Sequence, residues 1–295
     1  MKKGPVTPKG FRDINPTLAK ERRETINVIA DTLEAFDFVP LETPTIEFAE
    51  TLLGKYGEDE KLIYQLTDKG GRELALRFDL TVPLARYVAN NIGLVSNTSF
   101  RRYQVGQVFR GEKPQKARWR EFTQMDFDSV GEDLVEEDAR VVAAAISAVK
   151  KVGFNKARLA INDRENFKTL SIEDIRELDK IYKVGKSAVE QKVGKQTLEE
   201  VENAKPTKRL SEIFKILKDS YSLNEDDDFF FDPFLARGLD YYTSLVFEMK
   251  PTGKEDGLSI GGGGRYDNLV GMFAGKKIPA VGFSFGLDRM LELKE

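Results

Sequence analysis

No cysteine and no histidine occur among the 295 residues. Disulfides, thiol nucleophiles, structural zinc of the Cys/His type and every Ser-His-Asp or Cys-His mechanism are thereby excluded. Catalysis by this chain must rest on charge, positioning or an oxygen-bound metal. Magnesium delivered with a nucleotide fits, because it needs only carboxylates, water and phosphate oxygens. Long apolar runs are also missing. The longest, 141–149 and 278–287, fall well short of a bilayer span, and the N-terminal MKKGPVTPKG lacks the apolar stretch of a signal peptide. A cytoplasmic protein with no membrane association is expected. The net charge of -3 argues against nucleic-acid binding over the whole surface and leaves only a local basic patch as a footprint. What is present, 40% hydrophobic and 32% charged residues, is the composition of a globular chain able to bury a substantial core.

Hydrophobic spacing predicts helices over 18–36, 81–90, 134–152 and 286–293. Strands are predicted over 38–44, 61–66, 74–78, 157–161, 229–235, 245–249, 259–266 and 278–285. Between 164 and 228 the pattern turns to charged, helix-forming segments such as EDIRELDKIYKV and TLEEVENA. This predicts a small helical insertion whose charge runs face water. The acidic run 225–228 lacks the spacing and glycine of a calcium loop and is read as solvated. The expected architecture is α+β, an antiparallel sheet flanked by helices. The expected divisions are a first core part over 1–163, the insertion over 164–228, and a second core part over 229–295.

The segment 101–128, RRYQVGQVFRGEKPQKARWREFTQMDFD, alternates like two strands around a short basic loop. Side chains two apart share a strand face, so Arg118, Arg120, Phe122, Gln124, Asp126 and Asp128 are expected on one side. Trp119, Thr123, Met125 and Phe127 are expected on the other, the core side. The first face mixes guanidinium, an aromatic ring, an amide and carboxylates, which suits a ligand with phosphate, planar base and cationic parts. A polar strand face turned to water is the competing reading. Phe122 between arginines, beside a loop in which Lys113, Lys116 and Arg118 outnumber Glu112, favours a site.

Glycines 261–264 match neither GxxxxGK[ST] nor a GxGxxG opening a helix. Glycines within a strand mark a bulge, or a place where a ligand or another backbone comes close. Arg237 in LARGLDYYTS and Arg289 in GLDRM are each weak signals taken alone.

Taken together, these segments resemble the catalytic domain of class II aminoacyl-tRNA synthetases, and the histidyl-tRNA synthetase family in particular. The resemblance runs from TPKGFRD near the start to AVGFSFGLDRM at the end. Motif 1 resembles the helix and strand ending at Pro44, motif 2 is the hairpin, and motif 3 is 280–290. LARGLDYYT over 235–243 and GGGRYDNLV over 262–270 are similar to the two histidine-specific signatures of that family. The resemblance implies the class II antiparallel fold and a homodimer built partly through motif 1. It also implies ATP with Mg2+, L-histidine and the acceptor end of tRNA(His) as partners, with no zinc; the magnesium ligands are not assigned.

Site residues follow from the same resemblance. Arg110 matches the arginine that holds the α-phosphate, Glu112 the acid that reads the adenine amino group, and Arg118 the loop arginine on the γ-phosphate. Phe122 matches the ring on which adenine stacks, with Arg289 as cation partner on its other side. Asp79 and Thr81 resemble the pair that binds the α-amino group of histidine, with Gln124 also reaching it. Asp128 matches the acid facing the imidazole, lined by Tyr241, Tyr242 and Tyr266, and Arg237 matches the catalytic arginine. Arg110 and Arg237 together are the expected catalytic pair, and both border the amino-acid site.

The implied chemistry agrees with the composition. Attack of a carboxylate on the α-phosphate builds negative charge that fixed guanidinium groups stabilise without proton transfer.

The family normally continues into a C-terminal anticodon-binding domain, whereas this sequence ends at Glu295, directly after motif 3. An excised catalytic domain or a naturally short relative is therefore expected. Three functions stay open: a synthetase core, a histidine-sensing paralogue resembling the regulatory subunit of ATP phosphoribosyltransferase, and a pseudo-synthetase module that binds uncharged tRNA. The full set of Arg110, Arg118, Arg237 and Arg289 favours the first, since a sensor of histidine needs no triphosphate cradle.

Overall fold

The computed structural model describes residues 5–114, 118–236, 241–251 and 259–294. Its helices, in chain order, begin with α1 (Pro16–Glu34), α2 (Ala49–Leu52), α3 (Thr81–Asn90) and α4 (Val135–Val152). They continue with α5 (Ile172–Leu178), α6 (Ile181–Val184), α7 (Lys186–Val193), α8 (Lys195–Glu202) and α9 (Lys208–Tyr221), and end with α10 (Gly271–Ala274) and α11 (Leu287–Leu293). The first strands are β1 (Val39–Pro40), β2 (Ile46–Phe48), β3 (Gln65–Thr67), β4 (Glu73–Leu76), β5 (Phe100–Phe109) and β6 (Glu121–Val130). The rest are β7 (Arg158–Asp163), β8 (Phe229–Phe231), β9 (Leu245–Lys250), β10 (Gly261–Arg265) and β11 (Ala280–Gly286).

Among the described residues, eight strands form one sheet in the order β1-β5-β6-β11-β10-β9-β7-β8. Its pairs are antiparallel except β1 with β5 and β7 with β8. Sequence-distant strands therefore meet at its centre, where β6 lies against β11.

One face of the sheet carries the main core. The side chains of α1 (Ile29, Leu33), α4 (Val142, Ile146, Val149) and α9 (Ile213, Phe214, Leu217) pack there on Met125 and Phe127 of β6 and Phe283 and Phe285 of β11. Each helix has sequence reasons to start or stop. Asn15 caps α1 by accepting from the Leu18 N–H at 2.9 Å, with proline at the first helical position. Gly153 ends α4 in the left-handed region, at φ 116°. The alanine-rich face of α4 is buried along its length, which lets the helix lie close to the sheet. A second core joins α2, α3 and β4 to Tyr266, Leu269 and Val270.

The segment 164–228 divides by its packing. Helices α5 to α8 gather around Phe167, Leu178, Ile181, Val189, Leu198 and Val201, whereas α9 belongs to the main core and ties Arg209 to the buried Asp138 of α4 at 2.6 Å. The run 225–228 is not all solvated: Asp228 is buried and paired with Lys150. Residues 61–62 fall in a 3-10 turn rather than a strand, and the predicted strand pair is realised as β3 with β4, its first strand a few residues later than expected. No helix among the described residues is long and apolar enough to cross a membrane.

Candidate active site

The opposite face of the sheet borders a cavity of about 410 Å3, within the range of small-molecule sites. Alternation along β6 builds its floor. Phe122, Gln124, Asp126 and Asp128 line it, while Thr123, Met125 and Phe127 turn away and are buried. The expected alternation fails just before the strand. The regular ladder with β5 runs from Phe109 opposite Glu121; beyond it the Arg110 N–H still reaches the Arg120 carbonyl at 2.9 Å, but the Arg120 N–H turns to the Gly10 carbonyl at 2.8 Å. Ahead of that point Arg120 leaves the face, donating through Nε to the Glu112 carbonyl at 2.9 Å, and Trp119 lines the cavity instead of the core.

Register decides what lies beside each floor residue. Gly282, Ser284 and Gly286 of β11 stand opposite Asp128, Asp126 and Gln124. A Cβ at Gly282 would collide with the Asp128 carboxylate, and one at Gly263 would collide with the Gly282 carbonyl. The glycine run thus serves both readings open to it, since Gly261 to Gly263 also line the cavity.

Asp79, Thr81, Arg110, Glu112, Arg118, Phe122, Gln124, Asp128, Tyr241, Tyr242, Tyr266 and Arg289 all border this one cavity. Arg237 lies outside the described residues.

Three cations border the cavity. The Arg110 guanidinium lies 4.4 Å from the Phe78 ring centroid and 5.1 Å from that of Phe122. Arg289 donates to the Ser259 carbonyl at 2.9 Å. Arg118 is half exposed, 3.7 Å from Glu112.

Carboxyls and tyrosines border it as well. Asp79 Oδ1 accepts from the Tyr56 hydroxyl at 3.0 Å and from the Thr81 and Val82 N–H groups at 3.1 and 3.0 Å, at the start of α3. Asp128 accepts from the Tyr266 hydroxyl, and its Oδ2 lies 2.7 Å from the guanidinium of Arg102. The rings of Tyr241 and Tyr242 meet edge-on at 4.9 Å.

Burial sets the protonation of these carboxyls and tyrosines. Desolvation raises Asp79, opposed by the Val82 N–H and Arg110, and raises Asp128, opposed by Arg102 and Tyr266. It lifts Tyr56, Tyr241 and Tyr266 well above their ordinary value, so they act as neutral hydroxyls. Asp126 is pushed up to about 7 by burial, with Arg102 opposing and Asp128 reinforcing.

The motif comparison left three residues without a role. Arg102, fully buried, braces Asp128 and also donates to the Leu80 and Asp126 carbonyls at 3.2 and 3.3 Å. Asp126 sits between Gln124 and Asp128 on the floor. Asp288 accepts from Arg12 at 2.6 Å, Arg22 at 2.5 Å and the Thr123 N–H at 2.7 Å. Alternation flagged Asp126, but nothing in the local pattern distinguishes Arg102 or Asp288 from a surface charge.

A largely antiparallel sheet, helices on one face and a charged cavity on the other, defines the fold of class II aminoacyl-tRNA synthetases. A solved histidyl-tRNA synthetase from Nostoc sp. PCC 7120 shares it with a TM-score of 0.85 and 29% identity, covering 99% of this chain and 75% of that one. Within that class, the chain belongs to the histidyl-tRNA synthetase family, whose pattern matches residues 10–184 and 162–290. A histidine--tRNA ligase of Aeropyrum pernix is 37% identical over 98% of this chain and 74% of its own length. The fold is also shared, at 23% identity and a TM-score of 0.78, by a Bacillus halodurans protein described as an ATP phosphoribosyltransferase regulatory subunit/histidyl-tRNA synthetase. That match covers 97% of this chain and 82% of the other.

Proposed function

We propose that this chain activates L-histidine with ATP, forming histidyl-adenylate and pyrophosphate, and then passes the histidyl group to tRNA(His). The observation that carries this reading is the meeting of two unlike surfaces in one cavity. The guanidinium groups of Arg110, Arg118 and Arg289 suit a triphosphate, and Asp79, Asp128 and Tyr266 in the same cavity suit an amino acid with a hydrogen-bonding ring. In this reading Asp79, Thr81 and Gln124 hold the α-ammonium, and Asp128 with Tyr241, Tyr242 and Tyr266 takes the imidazole. Phe122 stacks the adenine with Arg289 across from it, and Glu112 reads its amino group.

The reacting atoms are then a histidine carboxylate oxygen and the α-phosphorus. A P–O bond forms to the carboxylate, the bond to the bridging oxygen breaks, and pyrophosphate leaves. Arg110, with Arg237 from outside the described residues, stabilises the charge that builds on the phosphoryl oxygens. Magnesium travels with the ATP phosphates as part of the substrate. Among the described residues no group of three or more His, Cys, Asp or Glu is arranged to hold a metal ion. The acceptor end of tRNA, a second copy of the chain and a cytoplasmic setting complete the proposal.

Histidine-dependent ATP–pyrophosphate exchange tests it. Exchange that requires histidine and no other amino acid is the expected result. Absence of exchange with histidine binding intact would leave the fold with a sensing role.

A further inference from the structure

Asp126 is 2% exposed and lines the cavity, yet its Oδ1 has no hydrogen-bond partner among the described residues. Its carboxyl stands opposite Ser284 across the β6–β11 pair and between Gln124 and Asp128 along β6. A buried carboxyl oxygen without a partner costs free energy in the ligand-free protein, and such atoms call for a functional explanation.

We propose that Asp126 is a second ring-binding carboxyl. The pocket recognises both imidazole nitrogens, one through Asp128 and the other through Asp126 Oδ1. This rests on the reading of the cavity as a histidine site. Asp128 is held by an ion pair with Arg102 at Oδ2, an oxygen that makes no hydrogen bond among the described residues, and by the Tyr266 hydroxyl at Oδ1, so it presents an oriented acceptor to a ring N–H. A neutral imidazole has one N–H and one bare nitrogen. The second nitrogen needs a donor, or, once protonated, a second acceptor.

Asp126 supplies either. It is half protonated near neutral pH, held up by burial among Asp128 on its own strand, Asp79 ahead of α3 and Tyr241 ahead of β9. Arg102 on β5 and Arg77 after β4 face it as cations. Residues two apart on one strand face have Cα atoms about 6.5 Å apart, close enough for two carboxyls to converge on one five-membered ring. The α-ammonium end is served separately by Asp79 at the start of α3.

Calorimetric titration of wild type and of Asp126→Leu, which keeps the side chain's shape but has neither donor nor acceptor, with L-histidine, and separately with imidazole, which lacks the ammonium, tests the assignment. The expected result is a ten- to hundredfold weakening, roughly, for both probes, with ATP affinity unchanged within about twofold. Unchanged histidine affinity overturns the proposal. So does weakened histidine binding with unchanged imidazole binding, which would move Asp126 to the ammonium. An equal loss of ATP affinity, the mark of a distorted cavity, also overturns it. A wild type that binds no histidine at all overturns the functional reading together with this one. If Asp126→Leu does not fold, Asp126→Ala is read by the same criteria.

Discussion

The guanidinium of Arg102 lies 2.7 Å from Asp128 Oδ2, and neither side chain reaches solvent beyond a few percent. Such a pair gains little net stability over a well-packed apolar pair, but removing one partner strands a buried charge. Arg102→Met should therefore destabilise the fold by about 3–5 kcal/mol and abolish measurable histidine binding. The double variant Arg102→Met/Asp128→Asn should recover part of the stability and none of the binding. Urea denaturation and histidine titration of these two variants and of Asp128→Asn alone check this, and a fully additive loss would show that the two groups do not interact.

On the nucleotide side, Asp288 accepts from Arg12, Arg22 and the Thr123 N–H. It precedes Arg289 in sequence, and Thr123 follows Phe122, so this carboxylate sets the spacing of the two groups assigned to adenine. Asp288→Asn should raise the KM for ATP about tenfold, equivalent to about 1.4 kcal/mol, with the KM for histidine unchanged. Exchange kinetics at varied concentrations of each substrate separate the two. A parallel rise in both would point to general loosening of the cavity.

Gly282 is held to glycine by the Asp128 carboxylate, which occupies the space a Cβ would take. In Gly282→Ala either the strand or the carboxylate must shift, at a cost of about 1–3 kcal/mol. Histidine affinity should fall while ATP affinity persists. Wild-type histidine affinity in this variant would mean that Asp128 is free to move without consequence.

Stability of the ligand-free protein should fall as pH rises toward 8. Asp126 titrates near 7 when folded and near 3.9 when unfolded, so between these values the folded state binds the additional proton. The stabilisation is complete below the unfolded value and is lost as pH passes through the folded one. Asp79 and Asp128, also raised by burial, act with the same sign. Asp126→Asn should melt higher than wild type at pH 8 and show a smaller difference at pH 5. Thermal melts across that range test the sign, and a lower melting temperature for the variant at pH 8 would refute it.

Arg237→Ala should lower histidine-dependent exchange by roughly 10² to 10³, the usual cost of removing one group that stabilises transition-state charge, with histidine affinity little changed. Rapid-quench measurement of adenylate formation isolates that step. An unchanged rate would remove Arg237 from catalysis.

Alternation along β6 was legible because a period of two, with Met125 and Phe127 on one side and Gln124, Asp126 and Asp128 on the other, is a local property of an extended chain. So were α1 and α4, whose apolar spacing and end signals lie within single segments. Where local pattern and pairing diverged, pairing decided. Trp119 and Arg120 obey no strand alternation because the regular ladder with β5 begins at Glu121 and the Arg120 N–H pairs with the Gly10 carbonyl instead. Asp228, in an acidic run, is buried because Lys150 of α4 meets it.

The chemical class of the chain, histidine-free and cysteine-free with guanidinium groups, carboxylates and tyrosines in recurrent motifs, was determined by sequence alone, because residue type sets which chemistry is available. Which charges act together was decided only by tertiary structure. Arg102 meets Asp128 from the neighbouring strand, Arg12 and Arg22 meet Asp288 across more than 260 positions of chain, and Asp126 keeps one oxygen without a partner among the described residues. Pairing and desolvation depend on distances between segments far apart in sequence, and those distances exist only once the sheet has formed.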